Sequence, residues 1–161
     1  MRFHLIDRID SWQPHLRITA RKVTSVHEGH WQQTSEGPRL AFGLMLEALC
    51  QAGTWLIMLS TEHRKRAALL TVREATASGP VRPGDTLRIE AVVVSRSEEA
   101  AVIDGTVTCE GRTVLEASGI MCALIDAEEL DDPADTARMA AQLLGTGAGS
   151  GTGDTGTRAA A

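Results

Sequence analysis

Glu47 and Gln51 are the two long polar side chains in the middle of an otherwise apolar run, Phe42 to Ser60. Four residues apart on a helix, they stand on one face, a turn from each other. A carboxylate in such a setting is costly to bury ionised. Glu47 therefore either reaches a polar cleft, with chemistry to do there, or sits at a watered helix edge. Its apolar neighbours leave little room for a solvated face, which favours the first. Such surroundings also disfavour a carboxylate's charged form and keep the group able to give up a proton. A base working near neutrality is most simply a histidine, and there are five: His4, His15, His27, His30 and His63. On residue type alone each reads as a solvated or structural imidazole. The three cysteines, Cys50, Cys109 and Cys122, lack metal-ligand spacing. An odd number of them, behind an N-terminus without the apolar run of a signal peptide, points to reduced thiols in a cytoplasm.

The elements that must position Glu47 follow from the apolar pattern. Residues 42 to 60 are apolar on nearly every face, which marks a helix buried all round. The run approaches transmembrane length, but Glu47, Gln51 and the strand patterns after it favour a core helix and no membrane. Ahead of it, Phe3, Leu5, Ile6 and Ile9 have a short helical or turn-like spacing that Pro14 ends. Leu16 to Thr24 alternates through Leu16, Ile18, Ala20 and then Val23, as a strand does. Residues 25 to 38 are polar and irregular and read as a loop feeding the helix. After the helix come strands at Ala68 to Glu74, Thr86 to Ser95, Ala100 to Cys109 and Arg112 to Ile125. Turn residues separate them, with Glu110-Gly111 as a tight hairpin. One long helix and an antiparallel sheet make an α+β domain over residues 1–126. Residues 127–144 are charged and alanine-rich, with a helix expected near Thr136 to Leu144. Residues 145–161 hold six of the fifteen glycines and no large apolar side chain, so disorder is expected there.

At 161 residues the chain holds one domain and an appendage. A net charge of −5 without a dense basic run argues against nucleic acid as a partner. The short run His63-Arg64-Lys65-Arg66 is either a solvated loop or a weak match for an acidic protein surface.

In four places the sequence resembles the 3-hydroxyacyl-acyl-carrier-protein dehydratases of the FabZ and FabA type. Phe3-His4-Leu5-Ile6-Asp7-Arg8-Ile9 resembles the family's opening FLLVDRV. Glu28-Gly29-His30-Trp31 resembles GHFP, which bears the catalytic histidine. Pro38 to Gln51 resembles PVMPGVLMIEALAQ, and Pro80-Val81-Arg82-Pro83-Gly84-Asp85 resembles the PVVPGD turn. Together they span residues 3 to about 125. The chain departs from the pattern in lacking the proline after the histidine and in carrying Ala41-Phe42 where the family has Pro-Gly. It has Ala77 in place of an aromatic, and three extra residues, around Gln32 to Glu36, between His30 and Glu47.

The resemblance implies a hot-dog fold, a long central helix wrapped by a curved antiparallel sheet. It also implies dehydration of a 3-hydroxyacyl thioester on acyl carrier protein, in fatty-acid or polyketide assembly, with the unusual loop leaning towards polyketides. His30 would be the base and Glu47 the acid. Backbone N–H groups of Phe42 and Gly43, at the positive end of the helix, would hold the developing oxyanion. Gln51 would position Glu47 or a neighbouring backbone group. No metal and no cofactor is needed. The implied partners are the loaded carrier and a second hot-dog subunit, in a homodimer or a heterodimer, with histidine and carboxylate of each site coming from different chains. Two other readings are a hot-dog acyl thioesterase, against which His30 beside Glu47 argues, and a non-catalytic subunit of a heteromeric dehydratase.

Overall fold

The computed structural model describes residues 4–130 and 132–146. Phe3, and residues 147–161 of the tail expected to be disordered, lie outside them. In chain order the elements are β1 (Arg8–Gln13), β2 (Arg17–Val23), β3 (Trp31–Thr34), β4 (Gly37–Leu40), α1 (Phe42–Ser60), β5 (Lys65–Ala77), β6 (Thr86–Arg96), β7 (Ala100–Cys109), β8 (Arg112–Asp126), a 3-10 turn (Ala127–Glu129) and α2 (Pro133–Leu144). Six strands form one antiparallel sheet in the order β1-β2-β6-β7-β8-β5, and β3 with β4 forms a separate hairpin.

α1 touches all six strands of the large sheet. Six strands laid flat span about 24 Å, whereas a helix with its side chains is only about 10–12 Å across. The sheet must therefore curl around α1, and the fold is the hot-dog arrangement. Its core is the inner phase of each strand, Ile18 and Ala20, Leu87 and Ile89, Ile103 and Val107, Leu115 and Ile120, closed on Met45, Leu49, Ala52 and Leu56 of the helix. At Gly105 the contact is closest. A Cβ there would stand 2.5 Å from the Glu90 carbonyl oxygen and 2.5 Å from Leu49 Cδ1.

Four expectations are corrected. The lead segment is not helical, because Arg8–Gln13 pairs with β2 as an edge strand. The presumed loop at 25 to 38 contains the β3–β4 hairpin. α1 is not buried all round: Leu46, Glu47, Cys50, Gln51 and Thr54 are only half-buried. In β2 the inward phase is Ile18, Ala20, Lys22 and Thr24, while Leu16 and Val23 face outward.

α2 lies beyond the last strand. Asp132 caps it, accepting from the Ala134 N–H at 2.8 Å, and Pro133 opens it. Gly145, at φ 73°, ends it in the left-handed conformation, and Thr146 N–H returns to the Ala141 carbonyl at 3.0 Å. The first two residues of the expected tail thus finish the helix. α2 packs on β1, one edge of the sheet, and Thr136 accepts a hydrogen bond from the buried guanidinium of Arg66, on β5 at the other edge. Thr136→Val keeps the shape and removes this acceptor. It is expected to cost about 1–3 kcal/mol and lower Tm, with Thr136→Ser close to wild type; equal Tm for all three would show that the bond contributes nothing.

Candidate active site

His30 lies in the turn before β3 and is half-buried. The β3–β4 ladder runs from Thr34 opposite Gly37 to Trp31 opposite Leu40. One step further stand His30 and Ala41, so the hairpin folds the histidine back to the start of α1. The three extra residues fall within this hairpin, whose tip is the two-residue turn Ser35-Glu36. They lengthen it at the far end from His30.

Both ends of the segment from Thr24 to Leu40 are fastened to the Pro80–Asp85 turn. Thr24 Oγ1 lies between the carbonyl oxygens of Arg82 at 2.9 Å and Asp85 at 2.7 Å, which share its one proton. Thr24 N–H donates to Asp85 O at 2.9 Å and Gly84 N–H to Thr24 O at 3.2 Å. Leu40 N–H donates to Val81 O at 2.9 Å. The turn is held in shape by Arg82 N–H on the Asp85 carboxylate at 2.8 Å, and by Gly84 at φ 95°, where a side chain would be strained. This explains physically why a Pro-Gly-Asp turn far along the chain matters to a histidine near its beginning.

α1 starts without a side-chain cap: Ala41 offers no acceptor, and the first turn has no acidic residue. The leading N–H groups of a helix have no partner inside it. Those of Phe42 and Gly43, both exposed, therefore point out of the helix at its positive end. Glu47 lies about 7.5 Å further along the axis. Its Oε1 accepts from Gln51 Nε2 at 2.9 Å, and Gln51 Oε1 accepts from the Leu5 N–H at 2.8 Å. Gln51 thus ties the carboxylate to the lead segment. Cys50, beside them, is a neutral thiol: burial first, then the charges of Glu47 and Cys122, push its pKa up to about 12. It lines the site without being a nucleophile.

The remaining sequence candidates separate from this group. His4 and His27 are exposed. His63 is half-buried at the end of α1, with its pKa lowered by burial and then by the Arg66 charge. The basic run there is not an open cationic surface. Arg66 turns inward, Lys65 pairs with Asp126 at 2.6 Å and Arg64 with Glu62 at 2.9 Å. Lys22 and Glu28, ion-paired at 2.8 Å just ahead of His30, were not singled out by sequence. The strand phase that buries Lys22 was the available signal.

A family model described as FabA-like domain matches residues 1–118. The chain is 31% identical over 129 residues to the 3-hydroxyacyl-acyl-carrier-protein dehydratase FabZ of Solibacter usitatus, covering 79% of either chain. It is 34% identical over 122 residues to the protein of the same name from Magnetococcus marinus, covering 70% of this chain and 80% of that one. Among solved structures, a Streptococcus mutans protein bound to acetyl CoA superimposes with a TM-score of 0.59 at 17% identity, over 78% of this chain and 92% of that one. A putative thioesterase from Lactococcus lactis does so with a TM-score of 0.60 at 13% identity, over 74% and 94%. At these identities the structural likeness is one of fold alone.

Proposed function

We infer the reaction from kinship: the chain belongs to the FabA-like domain family, and it removes water from a 3-hydroxyacyl thioester on acyl carrier protein, leaving the trans-2-enoyl thioester. The observation that carries this reading is the match over residues 1–118, which takes in every residue of the site. His30 takes the proton next to the thioester carbonyl. Charge builds on the carbonyl oxygen, where the N–H groups of Phe42 and Gly43 and the helix dipole stabilise it. Glu47 gives its proton to the departing hydroxyl, which leaves as water. Gln51 holds the carboxylate in place for that transfer.

Fatty-acid chains are the proposed substrates. The lean towards polyketides rests on the altered loop, and the hairpin takes up the extra residues away from His30. The cytoplasm is the proposed compartment, where Cys50, Cys109 and Cys122, all free thiols, stay reduced. The expected test is a rise in conjugated enoyl-thioester absorbance when the purified chain meets carrier-bound 3-hydroxyacyl substrate. No rise, with a competent carrier, would return the non-catalytic reading.

Each site is shared by two chains, His30 from one and Glu47 from its mate. Two surfaces support this: the half-open face of α1, and edge strand β5, which exposes Leu69 and Leu70. Mixing His30→Ala chains with Glu47→Gln chains gives about half mixed dimers by random pairing, each with one intact site, so about a quarter of all sites regain activity. A dead mixture, with exchange confirmed by mass labelling, would overturn the shared site and leave either a site within one chain or the need for a different partner subunit.

A further inference from the structure

Lys22 stands on the inner phase of β2, in line with Ile18 and Ala20, and its side chain is 4% exposed. An ammonium group is not stable there alone. Its partner is Glu28, whose Oε1 accepts from Lys22 Nζ at 2.8 Å, while the second carboxylate oxygen, Oε2, is buried with no partner. Glu28 is two residues ahead of His30. Behind it, Thr24 is bolted to the Pro80–Asp85 turn. Ahead of it, Trp31 Nε1 donates to the Ser25 carbonyl at 2.9 Å and closes the segment into a loop. Glu28 N–H adds a turn bond to Ser25 O at 3.1 Å. A Cβ at Gly29 would meet nothing within 4 Å, so packing does not hold that residue. The ion pair is a side-chain anchor that ties the middle of this loop to the sheet.

We propose that Lys22 and Glu28 are positioning residues for His30: their ion pair, buried on the lysine side, sets the loop so that the imidazole meets the substrate proton. The proposal rests on the reading of His30 as the base. A base displaced by about 1 Å can cost up to about a hundredfold in rate, while substrate contacts made elsewhere are untouched. The cost should therefore fall on kcat and spare KM.

The experiment compares Lys22→Met, Glu28→Gln and the double variant with wild type, in three readouts. Lys22→Met leaves the Glu28 carboxylate without its partner and Glu28→Gln leaves the buried Lys22 charge uncompensated, so each single variant lowers Tm; the double variant removes both charges and recovers much of that loss. For kcat, all three are expected to fall by about the same factor, roughly tenfold to a hundredfold, because the pair acts as one fastening. KM should stay within about twofold. The ring signals of His30 in NMR spectra, identified by their loss in His30→Gln, should be single in wild type and broadened or doubled in all three variants. A double variant that regains wild-type kcat and a single His30 signal along with its Tm would overturn the proposal, because the pair would then serve stability alone. Singles with wild-type kcat would do the same. If the wild-type chain itself fails to dehydrate the carrier substrate, the functional reading fails, and the NMR comparison still decides whether the pair orders His30.

Discussion

Glu47→Gln is expected to lower kcat for dehydration at least about a hundredfold, the scale of losing a general acid, while leaving Tm close to wild type. The amide keeps an oxygen where Glu47 Oε1 accepts from Gln51 Nε2, so the tie through Gln51 to Leu5 survives the change. What is lost is the proton that the departing hydroxyl needs. His30→Ala is expected to cost as much, by removing the base, and, because His30 is half-buried in a turn, to leave Tm close to wild type. The check is steady-state kinetics with carrier-bound substrate beside a thermal melt. Turnover near wild type in either variant would remove that residue from the mechanism; a collapsed melt would mean that the loss reflects folding.

The largest effect on stability is expected from Gly105→Val. A Cβ at this position would meet the Glu90 backbone and Leu49 Cδ1, each at 2.5 Å. The first is part of the β6–β7 ladder, in which Gly105 stands opposite Ala91, and cannot move without breaking it. Overpacking of this kind costs about 3 kcal/mol, which for a chain of this size lowers Tm by roughly 6–12 °C. Gly53→Ala is the contrast. Its Cβ would meet Ile103 Cδ1 at 2.9 Å, the far end of a side chain that can rotate away. A Gly105→Val protein melting within a degree of wild type would show that α1 does not approach β7 as described.

The sequence made some parts of this structure readable and hid others for physical reasons. α1 runs over Phe42–Ser60, as its largely apolar run indicated, and β7 over Ala100–Cys109, the bounds read from the sequence. β1 was missed because a bulge between Ile9 and Ser11 breaks its period, and because, as an edge strand, it buries Ile9 deeply and Trp12 only in part. The β3–β4 hairpin meets the core only at its base, through Leu40 and Trp31, while Gln32, Gln33 and Thr34 are all exposed, so no pattern runs along it. Lys22 went unnoticed because the alternation was carried on through Val23, yet the strand phase set by Ile18 and Ala20 carries the lysine inward, where Glu28 meets it. In the site, the shared face of Glu47 and Gln51 followed from their spacing of four. The bond from Leu5 N–H to Gln51 joins residues 46 apart, and the fastening of Thr24 to the Pro80–Asp85 turn spans a still longer separation. Local pattern carries no trace of either.

The most direct measurement is the mass of the carrier after incubation with the wild-type chain. A 3-hydroxyacyl carrier protein should become lighter by one water, at a rate that Glu47→Gln and His30→Ala each reduce at least about a hundredfold. Release of the unloaded carrier and free acid would identify a thioesterase and contradict the dehydratase reading. A carrier of unchanged mass, under conditions where a known dehydratase converts it, would contradict it too.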